Sequence, residues 1–179
     1  MKIFFDLEFT GLYQDTTPIS IGLVAENGRT FYAEFIDYDR SRIDNWLREN
    51  VIPHLRFGDL KEGVEAWENY RDPNVVEVLS NKAGVISALT EWLSQFDQIE
   101  MWGDCLAYDW VLFYELFGGG AKCLPENVLY IPLDICTLFW IKGIDPDVDR
   151  GEFAQHGCPK HNALDDALIT KICFEKLVK

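Results

Sequence analysis

Long apolar runs are missing from this 179-residue sequence, and their absence limits the kinds of protein it can encode. No stretch approaches the roughly 20 apolar residues that span a bilayer as a helix. The N-terminus lacks the apolar stretch and the small-residue cleavage site of a secretory signal peptide. We therefore expect a soluble, cytoplasmic protein with no membrane partner.

Cysteines are few and follow no pairing pattern. The five of them are scattered, they form no CxxC motif, and their number is odd. Structural zinc sites and disulfide frameworks need regular cysteine spacing, so neither is indicated. We expect reduced and mostly buried thiols.

Basic residues are also scarce. There are 16 Lys and Arg against 30 Asp and Glu, which gives a formal net charge of −14. Proteins that clamp long nucleic acids do so with a basic surface, so this balance argues against such a clamp. A chain with this charge could still act on nucleic acid if its carboxylates gather in a metal site and the substrate is short or held only by its end.

What the sequence does have is enough apolar material for one compact domain, residues 1–179, because 48% of it is hydrophobic. Residues 2–6, 18–26 and 29–35 are rich in β-formers, and Asn27-Gly28 between the last two is a strong hairpin signal. Helical and strand patterns alternate after them. We predict an α/β domain whose mixed β-sheet has an antiparallel meander of three strands plus parallel strands, flanked by helices. Residues 57–81 and 143–160 have no regular pattern and are predicted to be surface excursions near a site.

Two acidic residues, Asp6 and Glu8, end the first apolar strand. Side chains two apart in a strand lie on the same face, so both carboxylates point the same way. Taken alone, the pair is compatible either with metal ligands or with a strand that ends in a polar turn.

Three further segments could contribute to a site. Asp109 lies in the predicted first turn of a helix, where the helix dipole favours an acid whatever its function, and Asp104 just upstream is a plausible helix N-cap. His161 and the adjacent Asp165 and Asp166 lie where a loop enters the last helix. A histidine within the helix would be about 140° from a residue five positions later, so pairing with Asp166 requires His161 to precede the regular helix. Helical periodicity does not choose between the two acids.

Such a set of residues suits phosphodiester hydrolysis. Two divalent ions held by carboxylates can stabilise the attacking and the leaving oxygen. Without cations the acids would repel and raise one another's pKa. A histidine with a pKa near neutrality can take the proton from the attacking water.

Three segments together resemble, in order, the three motifs of the DEDDh exonucleases: DLEFTGL at 6–12, AYD at 107–109 and HNALDDA at 161–167. This family includes oligoribonuclease, ribonuclease T and replicative proofreading exonucleases, on a ribonuclease H-like fold with two Mg²⁺ or Mn²⁺ ions. The first and third motifs are specific, and the second is weak. Within the family, PISIGLVAENGRTFY at 18–32 and Phe9 are most similar to a branch of small bacterial and phage 3′-5′ exoribonucleases.

The resemblance implies that His161 is the general base and that two divalent cations bind to Asp6, Glu8, Asp109 and Asp166. The spacing of His and Asp in the family's third motif selects Asp166 over Asp165. Asp134, which follows a predicted strand, is similar to a recurrent family acid and is interpreted as a helix cap or a group that supports the site.

The resemblance also implies how a substrate is held. Phe9 and Leu12 would flank the terminal base by stacking, which is tolerant of base identity, although core packing explains either residue equally well. Thr10 and Tyr108, their neighbours in the motifs, complete the expected substrate-binding set. The implied substrate is single-stranded RNA or a 3′ overhang, shortened from its 3′ end to nucleoside 5′-monophosphates. A homodimer is an expected assembly.

Two departures from the family pattern argue against a proofreading role. Cys105 stands where proofreading members often have Asn, and Phe9 stands where Thr is common. Two alternatives stay open at this stage, a 3′-5′ exodeoxyribonuclease of the same family and a non-catalytic protein that binds nucleic acid or a partner on the same fold.

Overall fold

A mixed β-sheet forms the centre of the protein. The computed structural model describes residues 1–58, 67–72, 74–120, 122–157 and 160–179. Within these residues the sheet has seven strands, in chain order β1 (Lys2–Phe9), β2 (Pro18–Ala25), β3 (Thr30–Phe35), β4 (Trp67–Asp72), β5 (Val75–Ser80), β6 (Glu100–Gly103) and β7 (Leu133–Asp134). Their spatial order is β4-β5-β3-β2-β1-β6-β7.

The strand directions are those predicted from the sequence. β1, β2 and β3 form the antiparallel meander, while β6 runs parallel to β1, and β7 parallel to β6. On the other side, β5 pairs with β3 in parallel and β4 pairs with β5 antiparallel. The chain therefore has the predicted α/β architecture with a mixed sheet, which is consistent with a ribonuclease H-like fold.

Helices cover both faces of the sheet. In chain order they are α1 (Asn45–Asn50), α2 (Lys82–Leu93), α3 (Asp109–Leu116), α4 (Ile135–Ile141), α5 (Arg150–Ala154) and α6 (Ala163–Leu177), and two short 3₁₀ turns flank α1 at Arg40–Arg42 and Ile52–His54. α2 and α3 contribute to the larger core on one face, and α4, α5 and α6 pack on the other. No helix within the described residues combines the length and the apolar character needed to cross a membrane.

Two segments predicted to be irregular contain regular structure. The 57–81 segment includes β4 and β5, which extend the sheet beyond β3. β4 is the edge strand of the sheet within the described residues. Edge strands often carry polar and charged residues, so their sequences resemble those of loops. The 143–160 segment includes the short helix α5, capped by Asp149, whose side chain accepts a hydrogen bond from the Glu152 amide. Residues 59–66, 73, 158 and 159 of these two segments lie outside the described residues.

The described cysteines correct a further expectation. Cys105 and Cys123 are exposed, Cys136 is partly buried, and only Cys173 of these four is buried. All four are free thiols, as expected, but the prediction that most would be buried is wrong for them. The reason is that both exposed residues lie in connecting segments rather than in helices or strands. Cys158 lies outside the described residues.

Candidate active site

The two acids of β1 lie on the face of the sheet that is covered by α6. Ile3, Phe5 and Leu7 belong to the core on the opposite face, whereas the Phe4 ring packs against Phe174 of α6 at a centroid distance of 5.3 Å. Because side chains alternate along a strand, Asp6 and Glu8 share the face of Phe4. Both acids are therefore directed towards the first turn of α6, at the carboxyl end of a central strand.

A glycine in β2 allows α6 to approach these acids. Gly22 pairs with Asp6 across the sheet, and a Cβ at Gly22 would lie 2.3 Å from the backbone carbon of Ala163 and 2.3 Å from the Leu164 nitrogen. Any larger residue would push the start of α6 away from the sheet. This function of Gly22 was not predicted, although an isolated glycine inside a strand is a known sign of close backbone approach.

The start of α6 brings a histidine and an acid together. The Asn162 side chain caps the helix by accepting hydrogen bonds from the Leu164 and Asp165 amides. His161 precedes the helix, as the pairing with Asp166 requires, and it has the positive φ of 65°. Its backbone N–H donates to Asp166 Oδ2 at 2.8 Å. The loop geometry thus places the histidine next to the acid five positions later.

Asp166 is the acid of this pair that joins the β1 carboxylates. One carboxylate oxygen from each of Asp6, Glu8 and Asp166 lies within 4.8 Å of the other two. The neighbouring Asp165 instead contacts the Arg56 guanidinium, with an N–O distance of 3.6 Å. Helical periodicity did not choose between the two acids, but the structure places them differently. Asp166 lies in the acid cluster, and Asp165 forms a surface ion pair with Arg56.

Asp109 reaches the cluster from the other face of the sheet. It begins α3, it is 9% exposed, and its Oδ1 accepts a hydrogen bond of 2.9 Å from the Leu7 amide. This bond fixes Asp109 to β1 between Asp6 and Glu8. The four acids selected from the sequence thus converge at the end of one strand.

Burial and mutual repulsion raise the pKa values of these carboxyls. Burial is the largest cause of a raised pKa in each of them: the pKa of Glu8 rises to about 8, and those of Asp109 and Asp166 rise to about 6. The pKa of Asp6 is also raised, first by burial and then by the negative charges of Asp109 and Glu8. A divalent cation would relieve this cost, and carboxylate oxygens are the ligands that hard cations such as Mg²⁺ prefer. The residues therefore fit the predicted metal ions.

We expect the metal-free protein to lose thermal stability as pH rises from about 5 to about 8. An unfolded carboxyl has its pKa near 4, so the folded state holds more protons than the unfolded state over this range, and raising the pH lowers the free energy of unfolding. The melting temperature in EDTA should fall by on the order of 5 °C. It should fall less in Glu8→Gln and when Mg²⁺ is added. A melting temperature that does not change with pH in EDTA would contradict the repulsion.

His161 lines the same cleft as the acids. Its side chain is partly buried, and the Trp46 ring meets it edge-on at a centroid distance of 5.0 Å. Burial, and then the nearby His54 and Lys160, lower the pKa of His161 from its ordinary value. The imidazole is therefore largely neutral at pH 7 and can accept a proton.

A cleft of about 630 Å³ opens over the acids and His161. Phe9, Leu12 and Trp46 line it together with Tyr13, and Leu12 and Trp46 are 71% and 52% exposed. Trp46 was not singled out in the sequence analysis. From the sequence Trp46 looks like a core residue, because its short helix also carries the apolar and buried Leu47. Its 52% exposure at the cleft is seen only in the structure.

The other two residues of the expected substrate-binding set are placed differently. Thr10 is 1% exposed, and its hydroxyl contacts the hydroxyls of Thr16 and Thr17 at 3.2 Å each, so its side chain fixes the loop after β1. Any substrate contact of Thr10 would be through its backbone. Tyr108 stacks on Phe9, with ring centroids 5.6 Å apart and an interplanar angle of 21°.

Asp104 does not cap α3, as the sequence had suggested. Residue 108 occupies the N-cap position, and Asp104 forms an ion pair with Arg150, with Nε and Oδ2 2.6 Å apart. Arg150 lies 46 positions later, so no local sequence pattern indicates the pair. Asp134 does cap a helix, as interpreted: its carboxylate accepts hydrogen bonds from the Cys136 and Thr137 amides at the start of α4.

Comparison with known proteins identifies the family of the chain. The family model described as the 3′-5′ exoribonuclease Rv2179c-like domain matches residues 1–178. Two curated proteins of Mycobacterium tuberculosis, the 3′-5′ exoribonuclease Rv2179c and the 3′-5′ exoribonuclease MT2234.1, are each 31% identical to this chain over 130 residues, which is 72% of this chain and 67% of theirs. The match over almost the whole length, together with the acids and histidine at one cleft, shows that the chain belongs to the family of small bacterial exoribonucleases with the Rv2179c-like domain.

Proposed function

We propose that this protein is a metal-dependent 3′-5′ exoribonuclease that releases nucleoside 5′-monophosphates from single-stranded RNA. The observation that carries the proposal is the convergence of Asp6, Glu8 and Asp166 within 4.8 Å, with His161 bonded to Asp166 at the mouth of the cleft. Membership of an exoribonuclease family supports the direction of attack and the choice of RNA.

In this proposal the four acids hold two divalent cations, Mg²⁺ or Mn²⁺. The ions would supply positive charge for the oxygens that attack and leave. The protein's own contribution is to keep the carboxylates together in a partly buried place. The bond from the Leu7 amide fixes Asp109, and the capped first turn of α6 fixes Asp166.

His161 acts in the proposal as the general base. Its neutral imidazole takes the proton of the attacking water, and Trp46 limits how far the ring can turn. The bond between the His161 amide and Asp166 ties the position of the base to that of the acid cluster. The distance between the proposed base and the proposed metal ligands would therefore stay constant during turnover.

The terminal base of the substrate enters the cleft between Leu12 and Trp46. Both side chains are exposed and apolar, and stacking on such surfaces tolerates any base. The base has to be unpaired to fit between them, so duplex ends should be poor substrates unless they carry a 3′ overhang.

The direct test is a 5′-labelled single-stranded RNA incubated with Mn²⁺ or Mg²⁺ and, in parallel, with EDTA. We expect a ladder that shortens from the 3′ end only when the cation is present. A DNA oligomer of the same sequence distinguishes the exoribonuclease from the second candidate function, a 3′-5′ exodeoxyribonuclease. The 2′-hydroxyl of RNA offers a close-fitting pocket a donor and an acceptor that DNA lacks. Faster shortening of DNA than of RNA would favour that candidate, and fragments cut internally would exclude both.

We further expect substrate binding to depend weakly on salt. At a net charge of −14, the protein has little to gain from counterion release along a long strand. With no more than about two phosphates contacted, log K should fall with log salt at a slope no steeper than about −1.4. Binding of a labelled RNA to a His161→Ala protein between 50 and 200 mM KCl, as rough limits, measures this slope. A much steeper slope would reveal a basic track on the surface.

A further inference from the structure

A second cleft, of about 700 Å³, lies beside the active-site cleft. It is lined by residues 13–17 of the loop after β1, by the start of β2, by residues 35, 37 and 38 at the end of β3 and just after it, by the beginning of α2, and by the side of α3 that carries Val111. Both clefts are within the range of about 300–1,000 Å³ that is typical of ligand sites. None of the acids proposed to bind metal lies in the lining of this second cleft.

Aromatic side chains form the boundary between the two clefts. Tyr13 lines both of them, whereas Phe9 lines the first and its stacking partner Tyr108 lines the second. Tyr13 is held in place, because its ring packs on Gly11 and the Arg42 guanidinium lies 5.7 Å from the ring centroid. A single-stranded RNA that extends from the acid cluster towards Tyr13 therefore enters the second cleft directly.

The chemistry of the second cleft suits bases better than phosphates. Among the described residues of its lining, Lys82 is the single basic one, and Asp15, Asp37 and Glu115 are acidic. Asp15 is paired with Arg42, and the Asp37 carboxylate accepts a hydrogen bond from the Lys82 amide at 3.0 Å. Tyr13 and Val111, each 54% exposed, offer apolar surface in this cleft.

We propose that the second cleft binds the bases of the nucleotides immediately upstream of the scissile bond. The inference rests on the proposed exoribonuclease function and adds to it a minimum substrate length. A dinucleotide would place only its remaining nucleoside at Tyr13, whereas a tetranucleotide would also fill the cleft along α3. The rate should therefore rise with length up to about four nucleotides and then stay constant, because Lys82 is the one basic residue in the described lining of the cleft and the net charge of the protein is −14.

The test compares kcat/KM for 5′-labelled RNAs of two and of four nucleotides, in the wild type and in two variants. Base stacking contributes roughly 5- to 100-fold in binding per base, so we expect a tetranucleotide-to-dinucleotide ratio of about ten in the wild type. Val111→Glu puts a carboxylate into the cleft, and the helix dipole tolerates an acid in the first turn of α3. Val178→Glu adds the same charge at a valine of similar exposure, 52%, at the end of α6.

The expected result is a ratio near one in Val111→Glu and a ratio near ten in Val178→Glu. Because each protein serves as its own reference, a general loss of folded protein does not change the ratio. A wild-type ratio near one, or a Val111→Glu ratio equal to that of Val178→Glu, overturns the upstream site while leaving the exoribonuclease proposal standing. If the wild type shortens neither RNA with Mn²⁺, both proposals fail.

Discussion

Asp166→Ala should lower kcat/KM on single-stranded RNA by roughly 10³-fold, whereas Asp165→Ala should change it less than about threefold. The cations are expected to stabilise the transition state by several kcal/mol, and each 1.36 kcal/mol is a factor of ten in rate. Asp166 shares the cluster with Asp6 and Glu8, so its loss removes a proposed ligand. Asp165 contacts Arg56 instead, and a surface ion pair contributes about 0–1 kcal/mol.

The two variants are a close match, because the residues are neighbours in the first turn of α6 and both are partly buried. Alanine at Asp6, Glu8 or Asp109 should give losses like that of Asp166→Ala. Circular dichroism should show that every variant is folded, and Asp166→Ala should melt at a higher temperature than the wild type in EDTA, because one repelling charge is gone. An inactive Asp165→Ala together with an active Asp166→Ala would contradict the assignment of the third motif.

The central part of the fold could be predicted because its signals are local. In β1 the alternation of Ile3, Phe5 and Leu7 with Asp6 and Glu8 gives both the strand and the face that the acids occupy. The Asn27-Gly28 turn fixes the register of β2 and β3. The position of His161 ahead of α6 followed from helix geometry once the family resemblance had paired it with Asp166.

What the sequence could not give depends on contacts between distant segments. Asp104 looked like a helix cap, but it lies within reach of Arg150, whose guanidinium also donates to the carbonyls of residues 146 and 148. The Phe9–Tyr108 stack joins residues 99 positions apart and could not be read from either motif. β7 is short: Leu133 and Asp134 pair with β6, and Val128 forms an isolated bridge with Ile99.

Gly22 connects the predictable and the unpredictable parts of the site. The acids on β1 and the motif at the start of α6 can each be recognised, but their distance depends on the missing side chain in β2. Substitution of Gly22 would place a Cβ against backbone atoms, which cannot move as a flexible side chain could. The candidate active site therefore depends on the close packing of Gly22 against the start of α6 as much as on its carboxylates.

His161→Ala, which removes the proposed base, should lower kcat by roughly 10²- to 10⁴-fold, the usual contribution of a general base. Metal binding should change little, because the side chain is proposed to take a proton rather than to hold an ion. The backbone bond to Asp166 survives the substitution, although the positive φ of residue 161 costs alanine some stability. His161→Asn tolerates that conformation better and removes the base equally, so it separates lost chemistry from backbone strain.

His156→Ala is the matched control, since His156 is exposed and lies outside the lining of the active-site cleft. Single-turnover rates at saturating Mn²⁺, together with calorimetric titration of Mn²⁺ into each protein, distinguish a base from a ligand. A base gives a slow chemical step at every metal concentration with a nearly normal titration. A ligand would give weak metal binding and a rate that recovers as Mn²⁺ is raised, and that result would assign His161 to the metal site instead.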